Sequence, residues 1–241
     1  MKISIIVPAF NEEKCLGKTL AQIKSASNVL AQSGWEAELI VCDNNSNDRT
    51  AEIARAAGAT VVFEPVNQIS RARNSGAAVA TGDWLVFVEA DSHPTAELFA
   101  DMAREIQSGN CIAGGAIIRW DQKHFVNEIV TSVVNVGFRW RRMLSGAFIF
   151  IETTAFRKLG GFSYEVFVGE DYELSQRLNK LSKETGKRFV ILRRHPIITS
   201  ARRLKDFTVL SPLKLVAHIV LRPYACITSR EAARRWYDGR R

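Results

Sequence analysis

Glu89 and Asp91 stand two residues apart directly after the apolar run Trp84-Leu85-Val86-Phe87-Val88. A short continuous apolar run is how a strand buried on both faces reads. Ligands of open α/β sheets gather beyond the carboxyl ends of such strands. Hard divalent cations take oxygen ligands, and phosphates need their charge neutralised. Glu89-Ala90-Asp91 therefore fits the corner of a site that holds a metal and a diphosphate. It fits equally a solvated strand exit before a turn at Ser92-His93-Pro94, where acids are common.

Three further clusters follow apolar runs or open helices. In Pro8-Ala9-Phe10-Asn11-Glu12-Glu13, Asn11 can cap the next helix, and Glu12 and Glu13 suit its positive end. In Asp43-Asn44-Asn45-Ser46-Asn47-Asp48-Arg49-Thr50, the last residues can cap a second helix. Asp43 precedes the turn; it is either a turn residue or an acceptor for a ligand donor such as a nucleobase imide N–H. In Ser70-Arg71-Ala72-Arg73-Asn74-Ser75-Gly76, Arg71 and Arg73 fall in the first turn of a helix, against its dipole. An anion would offset that cost, and the guanidinium fork suits phosphate.

The elements that must position these clusters alternate along the first half. Strand patterns cover residues 3–7, 38–42, 60–63 and 84–88, with helical patterns over 12–32, 48–57 and 70–80 between them. Such alternation predicts a mainly parallel sheet covered by helices. A helix is expected over 95–107, a strand over 113–120, an amphipathic helix over 125–142, a strand over 147–151 and a helix over 169–181. No internal repeat or low-complexity linker divides the chain, so one α/β domain with a C-terminal extension is expected.

Composition narrows the function classes. At 241 residues, 46% hydrophobic and 24% charged, the chain can bury a full core. No stretch has the length and purity of a membrane span; the nearest, 209–227, contains Lys214, His218 and Arg222. The chain enters a strand pattern at once, without a signal-peptide pattern. Cys15, Cys42, Cys111 and Cys226 make no metal-type spacing, so reduced cysteines in a cytoplasmic protein are expected. The net charge is +8, of which residues 201–241 carry +7. That asymmetry points to an anionic partner, unless the tail is merely solvated. There is no G-x-G-x-x-G after the first strand and no G-x-x-x-x-G-K-[ST], which weighs against dinucleotide-binding and P-loop readings.

Taken together in order and spacing, these stretches resemble the family-two glycosyltransferases, which have the A-type, nucleotide-diphospho-sugar transferase fold. The resemblance spans residues 1–200. It rests on 4–13, 40–50, Ala72-Arg73-Asn74-Ser75-Gly76 with Thr81-Gly82-Asp83, Glu89-Ala90-Asp91, Gly160-Gly161-Phe162 and Gly169-Glu170-Asp171-Tyr172-Glu173-Leu174. It implies a single Rossmann-like, mixed but mainly parallel sheet flanked by helices. The nucleotide-sugar half would be about 1–110, the acceptor and base half about 111–200, and a basic helical extension 201–241.

By position, the resemblance implies that Pro8, Ala9, Asn11 and Glu12 line the nucleotide pocket and that Asp43 contacts the base. Arg71 or Arg73 would lie near the nucleotide or its phosphates. Asp91, with Ala90 beside it, would bind a divalent cation, Mn²⁺ or Mg²⁺, that bridges the donor diphosphate. Glu89 stands where the family has aspartate, so its contacts can differ. Asp171, preceded by Glu170, falls at the general base of inverting members, and the start of a helix should hold it ionised. Taken alone, this acidic run is also ordinary helix N-terminal charge. His195 lies where some members complete the metal sphere, and neutral imidazole suits Mn²⁺ better than Mg²⁺. Arg202 and Arg203 could close over the diphosphate.

The implied function is inverting, metal-dependent transfer of a single sugar from a nucleotide-diphospho-sugar donor to an acceptor hydroxyl on a glycan, lipid-linked sugar or small molecule. Trp120, His124, Phe125, Phe138 and Trp140 could face a sugar or lipid tail or fill the core. Leu213, Val216, Ala217 and Val220 form one stripe and Lys214, His218 and Arg222 another. This predicts a basic helix that packs on the body or rests on an anionic membrane, at the inner face. Arg234-Arg235-Trp236 resembles part of the Q-x-x-R-W motif of processive synthases, but Ala232 replaces the glutamine, so a processive enzyme is not expected. A sugar-phosphate nucleotidyltransferase and a non-enzymatic membrane-surface protein are the alternatives. Glu89 and Asp91, with no nucleic-acid motif, argue against nucleic acid.

Overall fold

Strand β1 (Lys2–Ala9) is buried from Ile3 to Ala9, as a nearly unbroken apolar sequence requires. It lies between two parallel neighbours, β2 (Glu36–Asp43) and β4 (Trp84–Val88). These coordinates are a computed structural model that describes residues 1–122, 135–137, 142–202, 228–231 and 233. The other strands are β3 (Thr60–Phe63), β5 (Ser92–His93), β6 (Cys111–Trp120), β7 (Phe148–Glu152) and β8 (Arg188–Thr199). Together they form one eight-stranded sheet in the order β3-β2-β1-β4-β7-β6-β8-β5. The β4–β7, β6–β7 and β5–β8 pairs are antiparallel, the rest parallel.

Helices α1 (Leu16–Ser27), α2 (Thr50–Ala56), α3 (Ile69–Val79), α4 (Ala96–Gln107), α5 (Thr153–Lys158) and α6 (Glu170–Thr185) flank the sheet. Alternate β1 residues serve opposite faces. Ile3, Ile5 and Val7 join Leu16, Leu20 and Phe99 in one core, and Ile6 joins Phe87, Phe162 and Leu174 in the other. None of the described helices is long and apolar enough to cross a membrane.

The register fixes the site. Ile6 pairs with Phe87 and Ala9 with Asp43, in parallel. Continuing that register, Ala9 lies level with Ala90, so Pro8–Glu12, Asp43 and Glu89–Asp91 meet at one edge. Antiparallel β7 brings Gly146 and Ala147 to the same edge, where the Glu89 N–H donates to the Ala147 carbonyl at 3.5 Å.

Several expectations need correcting. The helix expected over 12–32 begins only at Leu16 and becomes a 3-10 helix at Asn28–Ser33. Upstream backbone donors are committed elsewhere: Glu12 N–H donates to Thr50 Oγ1 at 2.8 Å and Glu13 N–H to Asp48 Oδ2 at 3.1 Å. Asn11 is no helix cap; its φ of 53° is left-handed. Ser92-His93 is a strand rather than a turn alone. Strand β8 escapes the sequence pattern because Arg193, Arg194, His195 and Pro196 interrupt it. Its pairing jumps from Ala116–Leu192 to Ile118–Ile197, so these residues bulge out of the ladder, where proline is tolerated. The helix expected over 125–142, and the tail beyond Arg202 apart from 228–231 and 233, lie outside the described residues.

Gly114, in the middle of β6, admits no side chain. An added Cβ would sit 2.3 Å from Phe150 Cζ and 2.7 Å from the Val190 carbonyl oxygen. Gly114→Ala should therefore cost about 1–3 kcal/mol, read from the urea-unfolding midpoint; an unchanged midpoint would contradict this packing.

Candidate active site

A cavity of about 270 Å³ opens at the edge where β1 and β4 end. Pro8, Ala9, Phe10 and Glu12 form one side, and Glu89, Ala90 and Asp91 its floor. Opposite stand Phe167, Val168, Gly169, Glu170 and Asp171, at the start of α6. Eight of the residues singled out from sequence line this one space: Pro8, Ala9, Glu12, Glu89, Ala90, Asp91, Glu170 and Asp171.

Five others do not line it. Asn11 ties two loops together, its N–H donating to Ser46 Oγ at 3.0 Å and its Oδ1 accepting from the Asn47 N–H at 2.9 Å. Asp43 is buried and its Oδ1 accepts from the Ser46 N–H at 3.1 Å, while neighbouring Asn44 reaches the cavity. The Arg71 guanidinium lies 4.7 Å over the Tyr164 ring. Arg73 is completely buried, not ligand-facing as its helix position suggested. Its Nη1 donates to Glu170 Oε1 at 2.6 Å, its Nη2 to the Gly146 carbonyl at 3.3 Å, and Glu89 Oε1 is 3.6 Å away. A buried charge must be paired, and Arg73 is paired by the acids of the cavity rather than by an anion within it. The longer side chain of Glu89 thus serves a contact to Arg73.

His195 is the fifth. The bulge in β8 directs it to α4, where Nδ1 lies 2.9 Å from Asp101 Oδ2. Asp91 is at the far end of that strand, its carbonyl accepting from the Ser200 N–H at 3.2 Å. Ile197 to Ser200 alone span about 10 Å, so His195 cannot share a cation with Asp91 in this arrangement.

Asp171 is held on both oxygens. Oδ2 accepts from the Gly146 N–H at 3.0 Å and Oδ1 from the Tyr172 N–H at 2.8 Å. Burial, reinforced by the charge of Glu170, pushes its carboxyl up to about 7, against Arg73 and the two N–H donors. This corrects the expectation that the helix terminus would keep it fully ionised: enclosure outweighs the dipole.

Asp91 is 4% exposed, and its Oδ1 is buried with no hydrogen-bond partner. Oδ2 accepts from Arg202 Nε at 3.2 Å. Arg202 Nη2 also donates to Glu12 Oε1 at 2.6 Å. A buried carboxylate oxygen without a hydrogen-bond partner, on a residue that lines the cavity, fits a hard divalent cation. Among the described residues no group of three His, Cys, Asp or Glu could hold a metal by itself. That fits a cation held by one or two carboxylates together with substrate phosphates. Glu89, two residues from Asp91, lines the same cavity while its Oε1 lies 3.6 Å from Arg73 Nη2. The Arg202 pairing with Glu12 and Asp91, and the wall of Phe167 and Val168, are contacts that sequence reasoning missed. Only the adjacent arginines Arg202-Arg203 hinted at the first, and Arg203 lies outside the described residues.

The model of glycosyl transferase family 2 matches residues 4–163. A 4,4'-diaponeurosporenoate glycosyltransferase of Staphylococcus haemolyticus is 42% identical over 96 residues, 37% of this chain and 24% of that one. The chain therefore spans about a quarter of that relative's length. An uncharacterized protein of Methanocaldococcus jannaschii is 25% identical over 91% of both chains. Among solved structures, a mannosyltransferase from Pyrobaculum calidifontis in complex with GDP-Man and Mn²⁺ superposes with TM-score 0.66 at 19% identity. That match covers 90% of this chain and 68% of the other. Glucosyl-3-phosphoglycerate synthase from Mycobacterium tuberculosis, in complex with Mn²⁺, UDP-glucose and phosphoglyceric acid, superposes with TM-score 0.60 at 21% identity, over 92% and 79%. Family match and sheet order agree: this chain belongs to glycosyl transferase family 2 and has the fold of the A-type glycosyltransferases.

Proposed function

We propose that this glycosyltransferase transfers one sugar from a nucleotide-diphospho-sugar to an acceptor hydroxyl, inverting the anomeric carbon, with a divalent cation at Asp91. The observation that carries this reading is that Asp171 and Asp91, which has one oxygen without a hydrogen-bond partner, line the same cavity. One end can take a proton while the other end gathers positive charge.

Asp171 Oδ2, oriented by the Gly146 N–H, accepts the proton of the acceptor hydroxyl. The acceptor oxygen bonds to the anomeric carbon as the carbon–oxygen bond to the diphosphate breaks, and that electron pair leaves on the diphosphate. Attack from the face opposite the leaving group inverts the configuration. A cation bound at Asp91 supplies charge neutralisation for the departing diphosphate. Glu170 is kept from the reacting centre by Arg73 and acts by setting the charge around Asp171. Pro8, Ala9, Phe10 and Phe167 offer an apolar wall to the nucleotide. The GDP-Man, UDP-glucose and Mn²⁺ bound by the superposed enzymes support a donor and cation of this kind.

Titration calorimetry with a panel of UDP- and GDP-sugars, with Mn²⁺ or Mg²⁺, tests the reading. At least one donor should bind, and only with the cation; no binding across the panel would contradict it. A base whose carboxyl sits near 7 also dictates a pH profile. Because the ionised form accepts the proton, kcat/KM should rise with pH and level off above about 7. A profile already flat from pH 5 would remove Asp171 as the titrating base.

A further inference from the structure

Arg202 joins the two acids at the rim and floor of the cavity. Its Nε lies 3.2 Å and its Nη2 3.1 Å from Asp91 Oδ2, and Nη2 is 2.6 Å from Glu12 Oε1. Both acids are nearly buried, at 4% and 2% exposure, and buried carboxylates need a counter-charge. We propose that Arg202 is a charge latch: its guanidinium and a divalent cation exchange places at the carboxylates of Asp91 and Glu12. This rests on the reading of Asp91 as the cation's ligand.

The backbone beneath the latch is held by hydrogen bonds while the side chain is partly exposed. Ser200 N–H donates to the Asp91 carbonyl at 3.2 Å, and Ala201 N–H to Asp121 Oδ1 at 2.9 Å. The Arg202 side chain is 32% exposed, and rotamer changes of exposed side chains are fast. Asp91 Oδ1 is the oxygen the latch does not hold. A cation arriving there meets a guanidinium on the other oxygen of the same carboxylate, and two positive charges so close in a poorly solvated pocket repel. Arginine cannot relieve the conflict by losing a proton: burial lowers its pKa, but the hydrogen bond and charge of Glu12 and the charge of Asp91 together raise it above the ordinary value. It has to move. A diphosphate entering with the cation offers the displaced guanidinium a new partner. Cation and nucleotide then reinforce one another's binding, as linkage requires.

The test is Mn²⁺ titration of the full chain, with free Mn²⁺ read by electron paramagnetic resonance, first without nucleotide and then with a nucleoside diphosphate. Without nucleotide, Arg202→Ala should bind Mn²⁺ about tenfold more tightly than the parent, within the usual range of coupling between sites. The increase in Mn²⁺ affinity caused by nucleotide should shrink in this variant. A merely structural arginine would not give tighter metal binding when removed. Arg202→Gln, long and hydrogen-bonding but uncharged, provides the same reading if the alanine variant folds poorly. Unchanged or weaker Mn²⁺ binding in the Arg202 variants, with Asp91→Asn having lost it, overturns the latch. Mn²⁺ binding by Asp91→Asn equal to that of the parent overturns the cation reading itself, and the latch with it.

Discussion

Asp171→Asn is expected to lower kcat by about 10²–10⁴-fold while donor affinity is unchanged. Asparagine is nearly the same shape and its carbonyl oxygen can still accept the Gly146 N–H, but it takes no proton from an acceptor hydroxyl. The amide nitrogen cannot accept from the Tyr172 N–H, so that hydrogen bond is lost at every pH, but the variant should lose less stability than the parent as pH rises from 5 to 8. Asp171 in the folded chain keeps its proton up to about pH 7, whereas the unfolded carboxyl loses it near its ordinary value of 3.8. The native state therefore binds the extra proton between those values, and stability falls as pH rises through that window. Above it the parent carries a disfavoured buried charge that the amide lacks. Weaker pH dependence of stability with lost turnover is the pattern of an acid kept for chemistry. Retained turnover in Asp171→Asn would remove it as the base, and an equal fall in melting temperature from pH 5 to pH 8 in parent and variant would contradict the burial argument.

Asp91→Asn should have the second large effect. The carboxylate is nearly buried, one oxygen lacks a protein partner, and among the described residues no group of three metal-type side chains is assembled that could hold the ion by itself. Loss of charge there should reduce metal-dependent donor binding and turnover by at least about 100-fold. Donor calorimetry at rising Mn²⁺ checks this. Donor binding that stays as tight and as metal-dependent as in the parent would place the cation elsewhere.

The legible parts of this protein are those whose physics is local. A run such as Trp84–Val88 can hardly be anything but a buried strand, and the turn chemistry after each strand marks where a parallel sheet gathers its ligands. Depth is what the sequence does not write. Arg71 and Arg73 look alike along the helix, yet one stacks on Tyr164 and the other is sealed beneath the cavity between Glu89 and Glu170. His195 carries the right chemistry for a metal, but a bulge in a strand masked by arginines turns it onto Asp101. The start of α6 does favour an ionised Asp171, but enclosure beside the Gly146 turn, a tertiary property, outweighs it. Arg202 sits 190 residues from Glu12, and only the closing of the sheet makes them partners.

The central claim is direct displacement at the anomeric carbon within this cavity, and the configuration of the first product tests it most directly. An α-linked nucleotide-sugar that binds with Mn²⁺ can be followed by proton NMR at early times, with water as acceptor if no better one is known. The account predicts that the β-anomer of the released sugar appears first, before mutarotation mixes the two, and that Asp171→Asn suppresses its formation. Early appearance of the α-anomer would contradict it.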